Sequence, residues 1–336
     1  MNSKLKISIQ SKCIFSTFAL ITFYTTSLCA QPTNNYADYP SRPIKIIIPQ
    51  AAGGGTDLLG RKVAQKLSEQ LKQTTIVENK AGAGSLIGTN FAANAAPDGY
   101  TLMIGGLTNM VMNKALIKDL NYDPEKGFTP LGYFSAYSFV LLARADLPVN
   151  TLAEFLKYAK DRPNQLNFAS AGIGTLQHVW GTILFNGMGL SLIHVPFKGA
   201  AQGYQEMLGG RIDVMFDNMS ASKQYVQSNK LKGLALSSQD RSPLLPQVPT
   251  INESGITKFT GESWFAIFAP FNTPLQIVNK LRSTMELINK DPEFIAQVEK
   301  DGGRMLNVSS QDQQQFLKDE ISKWVLLVNK NNIKAE

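Results

Sequence analysis

Glycine, threonine and aspartate crowd the stretch Pro49-Gln50-Ala51-Ala52-Gly53-Gly54-Gly55-Thr56-Asp57, which runs on into Leu58-Leu59-Gly60-Arg61. Glycines let a backbone lie close to a guest, and a helix starting there offers unpaired N–H groups and a partial positive charge. The chemistry this supports is capture of an anion, a carboxylate or a phosphate. The run from Gly55 to Lys62 has the glycine spacing of a nucleotide P-loop. However, Arg61 stands where the phosphate lysine belongs, and Lys62 replaces the Ser/Thr that would hold magnesium. A nucleotide site is rejected. Asp57 lies four residues before Arg61, so an i,i+4 ion pair is available. A carboxylate facing an anion site would repel the guest. Asp57 therefore reads as a brace or cap, with Thr56 and the amides of Gly53, Gly54 and Gly55 nearer the ligand. The same glycines would also serve a plain tight connection.

Further candidates follow the same chemistry. Ala51 and Ala52 belong to the first turn, and Thr108 and Asn109 offer a hydroxyl and an amide, for contact or for capping. Ser170, Ala171, Gly174 and Thr175 form a later glycine loop with Thr175 at the N-cap position. Asp217 and Asn218 end a strand, as ligand contacts or as braces. Gly82-Ala83-Gly84 with Gly88 has the wrong spacing for a dinucleotide fingerprint, leaving a close loop-to-helix crossing or a ligand contact. His178 and His194 read as lone core or surface histidines rather than metal ligands, and Lys198 as a solvated loop lysine. There is no Gly-x-Ser-x-Gly elbow and no His-Glu-x-x-His site, so no catalytic residue, metal or cofactor is expected. An exported α/β hydrolase or transferase acting on a small acid is the rival reading.

The elements that must position these loops are legible as periodicities. Ile44 to Ile48 is a β-branched strand, and Leu59, Val63, Leu67 and Leu71 mark an amphipathic helix after the first turn. Strands are expected at 75–79, 101–105, 166–170, 192–195, 212–216, 231–236 and 262–269. Helices are expected from the second glycine turn to Ala96, over 152–162, 176–186 and up to 208, then over 275–289, 292–300 and 309–329. The β-loop-α rhythm predicts parallel-rich sheets with helices on both faces and ligand groups beyond the strands' carboxyl ends. Apolar segments near Ser135–Phe139 and Gly261–Trp264 read as two crossings. They predict a discontinuous first lobe, 38–138 plus 260–336, and a second lobe, 139–259, with a hinge between them.

Lys4, Lys6 and Lys12 precede an apolar run that ends at Leu28-Cys29-Ala30, the pattern of a signal peptide over residues 1–30 cleaved near Ala30. Lipidation at Cys29 is the minor alternative. Cleavage would remove both cysteines and lower the net charge from +7 to +4, so disulfides and thiolate chemistry are not expected in the ~306 residues left. No Lys/Arg run marks a nucleic-acid surface. The expected location is the periplasm.

Taken together, Tyr39-Pro-Ser-Arg-Pro43, Gly53 to Asp57, Glu78 to Gly84 and Ala96-Pro-Asp-Gly-Tyr-Thr-Leu102 resemble one family in order along the chain. So do His194-Val-Pro-Phe-Lys-Gly-Ala200, Phe216-Asp-Asn218, Leu245-Pro-Gln-Val-Pro249 and Ile333-Lys-Ala-Glu336. The family is the tripartite tricarboxylate transporter receptors, the Bug-type periplasmic solute-binding proteins. The resemblance implies a two-lobed α/β periplasmic binding protein fold of type II character. Its cleft would hold a small carboxylate (a di- or tricarboxylate, an acidic amino acid or an aromatic acid) through backbone amides, small polar side chains and water. It further implies a monomeric, non-enzymatic receptor that serves a membrane permease or a sensor kinase.

Overall fold

The computed structural model describes residues 38–53 and 55–334. The expected signal segment 1–30, Gly54 and the final Ala335-Glu336 lie outside the described residues. Strand β1 (Ile44–Ile48) is buried along most of its length, as a parallel strand covered on both faces must be. It pairs in parallel with β2 (Thr75–Asn79) on one side and β3 (Thr101–Gly106) on the other. Helix α1 (Gly55–Leu71) turns Leu59, Val63 and Leu67 inward. Gly60 lets it settle on the sheet: a Cβ there would stand 2.5 Å from Ile48 Cδ1. Helix α2 (Leu86–Ala93) connects β2 to β3, and α3 (Asn113–Leu116) follows a π turn over Thr108–Met112.

Strand β4 (Phe128–Arg144) then runs 17 residues through the whole molecule. Residues 128–138 pair antiparallel with β9 (Glu262–Pro270), and 139–143 pair antiparallel with β7 (Val214–Asn218). Between them the chain forms α4 (Leu152–Lys160), β5 (Asn167–Ser170), α5 (Leu176–Gly187), β6 (Ile193–Pro196) and α6 (Ala200–Leu208). Beyond β7 come α7 (Met219–Gln227) and β8 (Leu231–Leu236). The main strand order is β2-β1-β3-β9-β4-β7-β5-β6, with β8 and β10 (Gly303–Met305) also on β4. Strands β5, β6 and β7 are mutually parallel, mirroring β1 to β3 in the other half. Helices α8 (Leu275–Ile288), α9 (Pro292–Lys300) and α10 (Gln313–Lys330) complete the fold. This is the two-lobed periplasmic binding protein fold, with a cleft between the lobes.

Both crossings meet at Ser237, a fully buried residue. Its N–H donates to Phe139 O at 2.9 Å and its hydroxyl accepts from Phe139 N at 2.7 Å. The same hydroxyl donates to Gly261 O at 2.5 Å, while Gly261 N donates to Ser237 O at 3.1 Å. One short side chain thus ties together the two strands that pass between the halves.

The structure differs from the sequence reading in a few elements. The helix expected to reach Ala96 stops at Ala93, and the terminal helix begins at Gln313 rather than Ser309. Helix α7 and strand β10 were not anticipated. Asn218, read only as a strand end, caps α7 by accepting from Ala221 N.

Candidate functional site

A cavity of about 470 Å³ lies where the two halves face each other. Helix N-termini supply much of its polar lining: Gly55 and Thr56 from α1, Thr175 and Gln177 from α5, and Asn218 and Ser220 from α7. Thr108 and Ser263 add hydroxyls, and Lys223 adds a cation. Leu58, Leu59 and Leu176 with the rings of Tyr137, Phe139 and Phe265 make the apolar lining. The aromatic part is built at the crossings: Tyr137 on β4 meets Phe265 on β9 edge-on, centroids 6.0 Å apart. Three helix starts aimed into one partly enclosed space present first-turn amides that no intrahelical carbonyl can take. The arrangement suits an anion attached to an apolar body.

Behind this lining the supporting groups are spent on one another. Asp57 is buried and accepts from Gly53 N at 2.8 Å, Arg61 Nε at 3.0 Å and Asn79 Nδ2 at 2.9 Å. The Arg61 hydrogen bond leads in holding its carboxyl down to about 2. The i,i+4 pair expected from the sequence thus forms. It commits the Gly53 amide to the brace and leaves Gly55 and Thr56 on the cavity. Ala51 and Ala52 sit exposed in the same turn. Asn109 is buried, accepting from Gly106 N at 2.9 Å and donating to Thr89 Oγ1 at 3.0 Å.

In the other half, Thr175 caps α5: its hydroxyl donates to Gly172 O at 2.6 Å and accepts from His178 N. Ser170 is buried beneath Ala171 and Gly174 in the same loop. Asp217, also buried, accepts from Gln177 Nε2 at 2.9 Å, Tyr204 Oη at 2.9 Å and Asn218 N at 2.8 Å. Desolvation pushes its carboxyl above the usual carboxylate range. Its bond to Gln177 fixes that amide at the mouth of α5. Thus Thr56, Thr108, Thr175 and Asn218 reach the cavity with Gly55, whereas Asp57, Asn109, Ser170 and Asp217 stand behind it.

The model of the tripartite tricarboxylate transporter family receptor matches residues 59–333. This chain belongs to that family. Among solved structures, the periplasmic binding protein BugD is 33% identical, with a TM-score of 0.76 over 89% of this chain and 100% of its own. Rpa4515 of R. palustris, determined with adipate, is 29% identical with a TM-score of 0.79, covering 88% of this chain and 99% of its own. MatC of Rhodopseudomonas palustris, with bound malate, is 30% identical with a TM-score of 0.74, covering 86% and 100%. Within the described residues of this family receptor, no helix is long and apolar enough to cross a membrane.

The receptor's cavity also contains residues that sequence reasoning missed. Tyr137, Phe139 and Phe265 lie in the two segments read as crossings, and nothing local in those runs marks them as cavity-facing. Ser220 and Lys223 went unseen with α7, although an Asn at position 218 followed by Met219, Ser222 and Val226 at helical spacing was there to find. Asp301 lines the cavity too and pairs with Lys62 at 2.7 Å.

Proposed function

We propose that this chain is a periplasmic receptor that captures a small carboxylate bearing a methylene chain or ring and presents it to a membrane permease or a sensor. The observation that carries this reading is the convergence of the α1, α5 and α7 N-termini on one cavity whose remaining lining is largely aromatic and aliphatic. Each helix start contributes roughly 0.3–1 kcal/mol toward a carboxylate, and each neutral hydrogen bond about 0.5–1.5 kcal/mol net. Tyr137, Phe139 and Phe265 supply the contact that a purely polar acid would waste. Adipate and malate, found in the similar R. palustris proteins, frame the size range, and the apolar lining favours the adipate end. The partner exchange of β4 between Ser138 and Phe139 and the start of β9 after Gly261 support lobes 38–138 plus 260–336 and 139–259, closing about that seam.

Thermal-shift and calorimetric titration with adipate, benzoate, malate and citrate tests the assignment, because a ligand that binds only the folded state raises its stability. Adipate or benzoate should give the largest shift and citrate the smallest. X-ray scattering at saturation should show a more compact particle. Absence of binding by all four acids, or steady conversion of any of them that heating abolishes, overturns the proposal.

A further inference from the structure

The chain has two histidines, and they meet. His178 on α5 and His194 on β6 stack with centroids 4.1 Å apart and planes 14° from parallel. The far face of His194 lies on Phe168, at 4.8 Å. Both rings border a second cavity of about 400 Å³, separate from the cleft and closed on one side by Asn331 and Lys334 of the chain's last described turn. Both are half-buried, so protons can reach them.

What the rings touch on the other side is the loop between β5 and α5. Gly174 N donates to His178 Nδ1 at 3.1 Å. His194 Nε2 lies 2.7 Å from Ser170 Oγ, and that hydroxyl bonds both the N–H and the C=O of Gly172 at 3.1 Å. One imidazole therefore holds the second half of the loop directly, and the other holds the first half through Ser170. Gly172 and Gly174 both have positive φ, 129° and 78°, so the loop's shape is one that needs outside support. The loop sets where α5 begins and hence where Thr175 and Gln177 meet the cavity.

The geometry at His178 admits only a neutral ring. His178 accepts through Nδ1, so that nitrogen carries no hydrogen; an imidazolium would aim an N–H at the Gly174 N–H. Two imidazolium rings in van der Waals contact would also repel each other. Among the described residues no carboxylate borders the rings: the charged side chain on this cavity is Lys334, with Phe168, Ser170, Thr182 and the two Asn side chains as other neighbours. Burial accordingly lowers the affinity of both rings for protons, and His178 lowers that of His194 further, to about 4.

We propose that His178 and His194 are positioning residues of the cleft: as a neutral stacked pair they hold the loop Gly172–Thr175 from behind, and protonation of the pair releases it. This inference rests on the reading above only in taking the start of α5 as part of the ligand site.

The test is an NMR titration of the full ligand-free protein from pH 8 to 4, so it is decided whether or not any acid binds. With two histidines, the imidazole Cε1–H signals are assigned by one variant. Both should titrate below the ordinary 6.5, and the amide signals of Gly174 and Thr175 should move on the same curve. In His178→Phe, which keeps an aromatic ring against His194 but has no acceptor, the Gly174 amide should lose its pH dependence. Imidazoles that titrate near 6.5 without coupling, or a Gly174 amide that ignores their titration, overturn the proposal. The wild-type curves suffice for this should the variant fail to fold.

Discussion

Trp180 of α5 and Trp324 of α10 stack with centroids 5.1 Å apart and planes 20° from parallel. Both are fully buried, and Phe139, Phe216 and Phe259 pack around them. The Trp324 indole N–H donates to Glu320 Oε2 at 3.1 Å, an oxygen that also receives Trp264 Nε1 at 3.0 Å. The last helix thereby fastens α5, whose N-terminal turn opens on the cavity, to the crossing strand β9. Trp324→Ala should cost about 3–5 kcal/mol by urea unfolding. A loss below about 1 kcal/mol would show that the stack is not a principal fastening.

Among the described residues Lys223 is the cation on the cavity and has no carboxylate partner; its Nζ donates to Lys300 O at 2.6 Å. A hydrogen bond to a charged group contributes about 1.5–3 kcal/mol, so Lys223→Met should weaken adipate binding about tenfold or more in calorimetry. Arg61, half exposed and held by Asp57 and Asn79, should behave differently. Arg61→Gln should leave adipate affinity nearly unchanged while lowering stability, because it strips the buried Asp57 of its cation. Loss of binding in the Arg61 variant with retention in the Lys223 variant would reverse these roles.

Gly88 on α2 sits where two backbones cross. A Cβ there would stand 2.6 Å from Lys80 O and 2.7 Å from Pro49 Cα, neither of which can rotate away. Gly88→Ala should therefore destabilise by about 1–3 kcal/mol, the usual cost of overpacking, and should displace the turn that carries Gly53. A neutral urea midpoint would mean that the crossing yields easily.

Stability should fall on the acid side in two separate windows. His194 is held neutral to about 4 against an ordinary 6.5. The unfolded chain therefore takes up the proton first, and stability drops as pH falls from 6.5 toward 4. Asp57 is held ionised to about 2 against 3.8. Its contribution is full above 3.8 and is lost as pH falls through 2. Asp217 works the other way: burial raises its carboxyl, so it costs stability as pH rises from 3.8 through its folded value. Urea midpoints of the wild type should decline between pH 6.5 and 4, and His194→Phe should flatten that limb whatever it does to the plateau. An unchanged slope in the variant would remove His194 from the account.

Much of this was legible in the sequence because the signals are local. Ile44–Ile48 is a β-branched run of the kind a buried parallel strand uses, and Gly53 to Thr56 announce a helix start. Asp57 and Arg61 stand at helical spacing, and their pair could be read without coordinates. The apolar lining could not, because Tyr137 and Phe265 face the cavity only through the register of β4 against β9. That register is set by partners more than a hundred residues away. The pairing of the histidines was hidden as well: His178 and His194 are each alone in sequence, and only the parallel alignment of β5 with β6 beside α5 brings them together.

Strand β9 lies between β3 and β4, pairing Met103 with Phe268 on one side and Phe128 with Pro270 on the other. Contacts so far apart in sequence form late. As the chain is synthesised, the half-sheet carrying the first glycine turn waits with a gap at its centre until residues 262–270 have emerged. A nascent chain halted before that point holds two open strand edges, the kind of surface that invites pairing with another molecule. One released after it holds none at that seam.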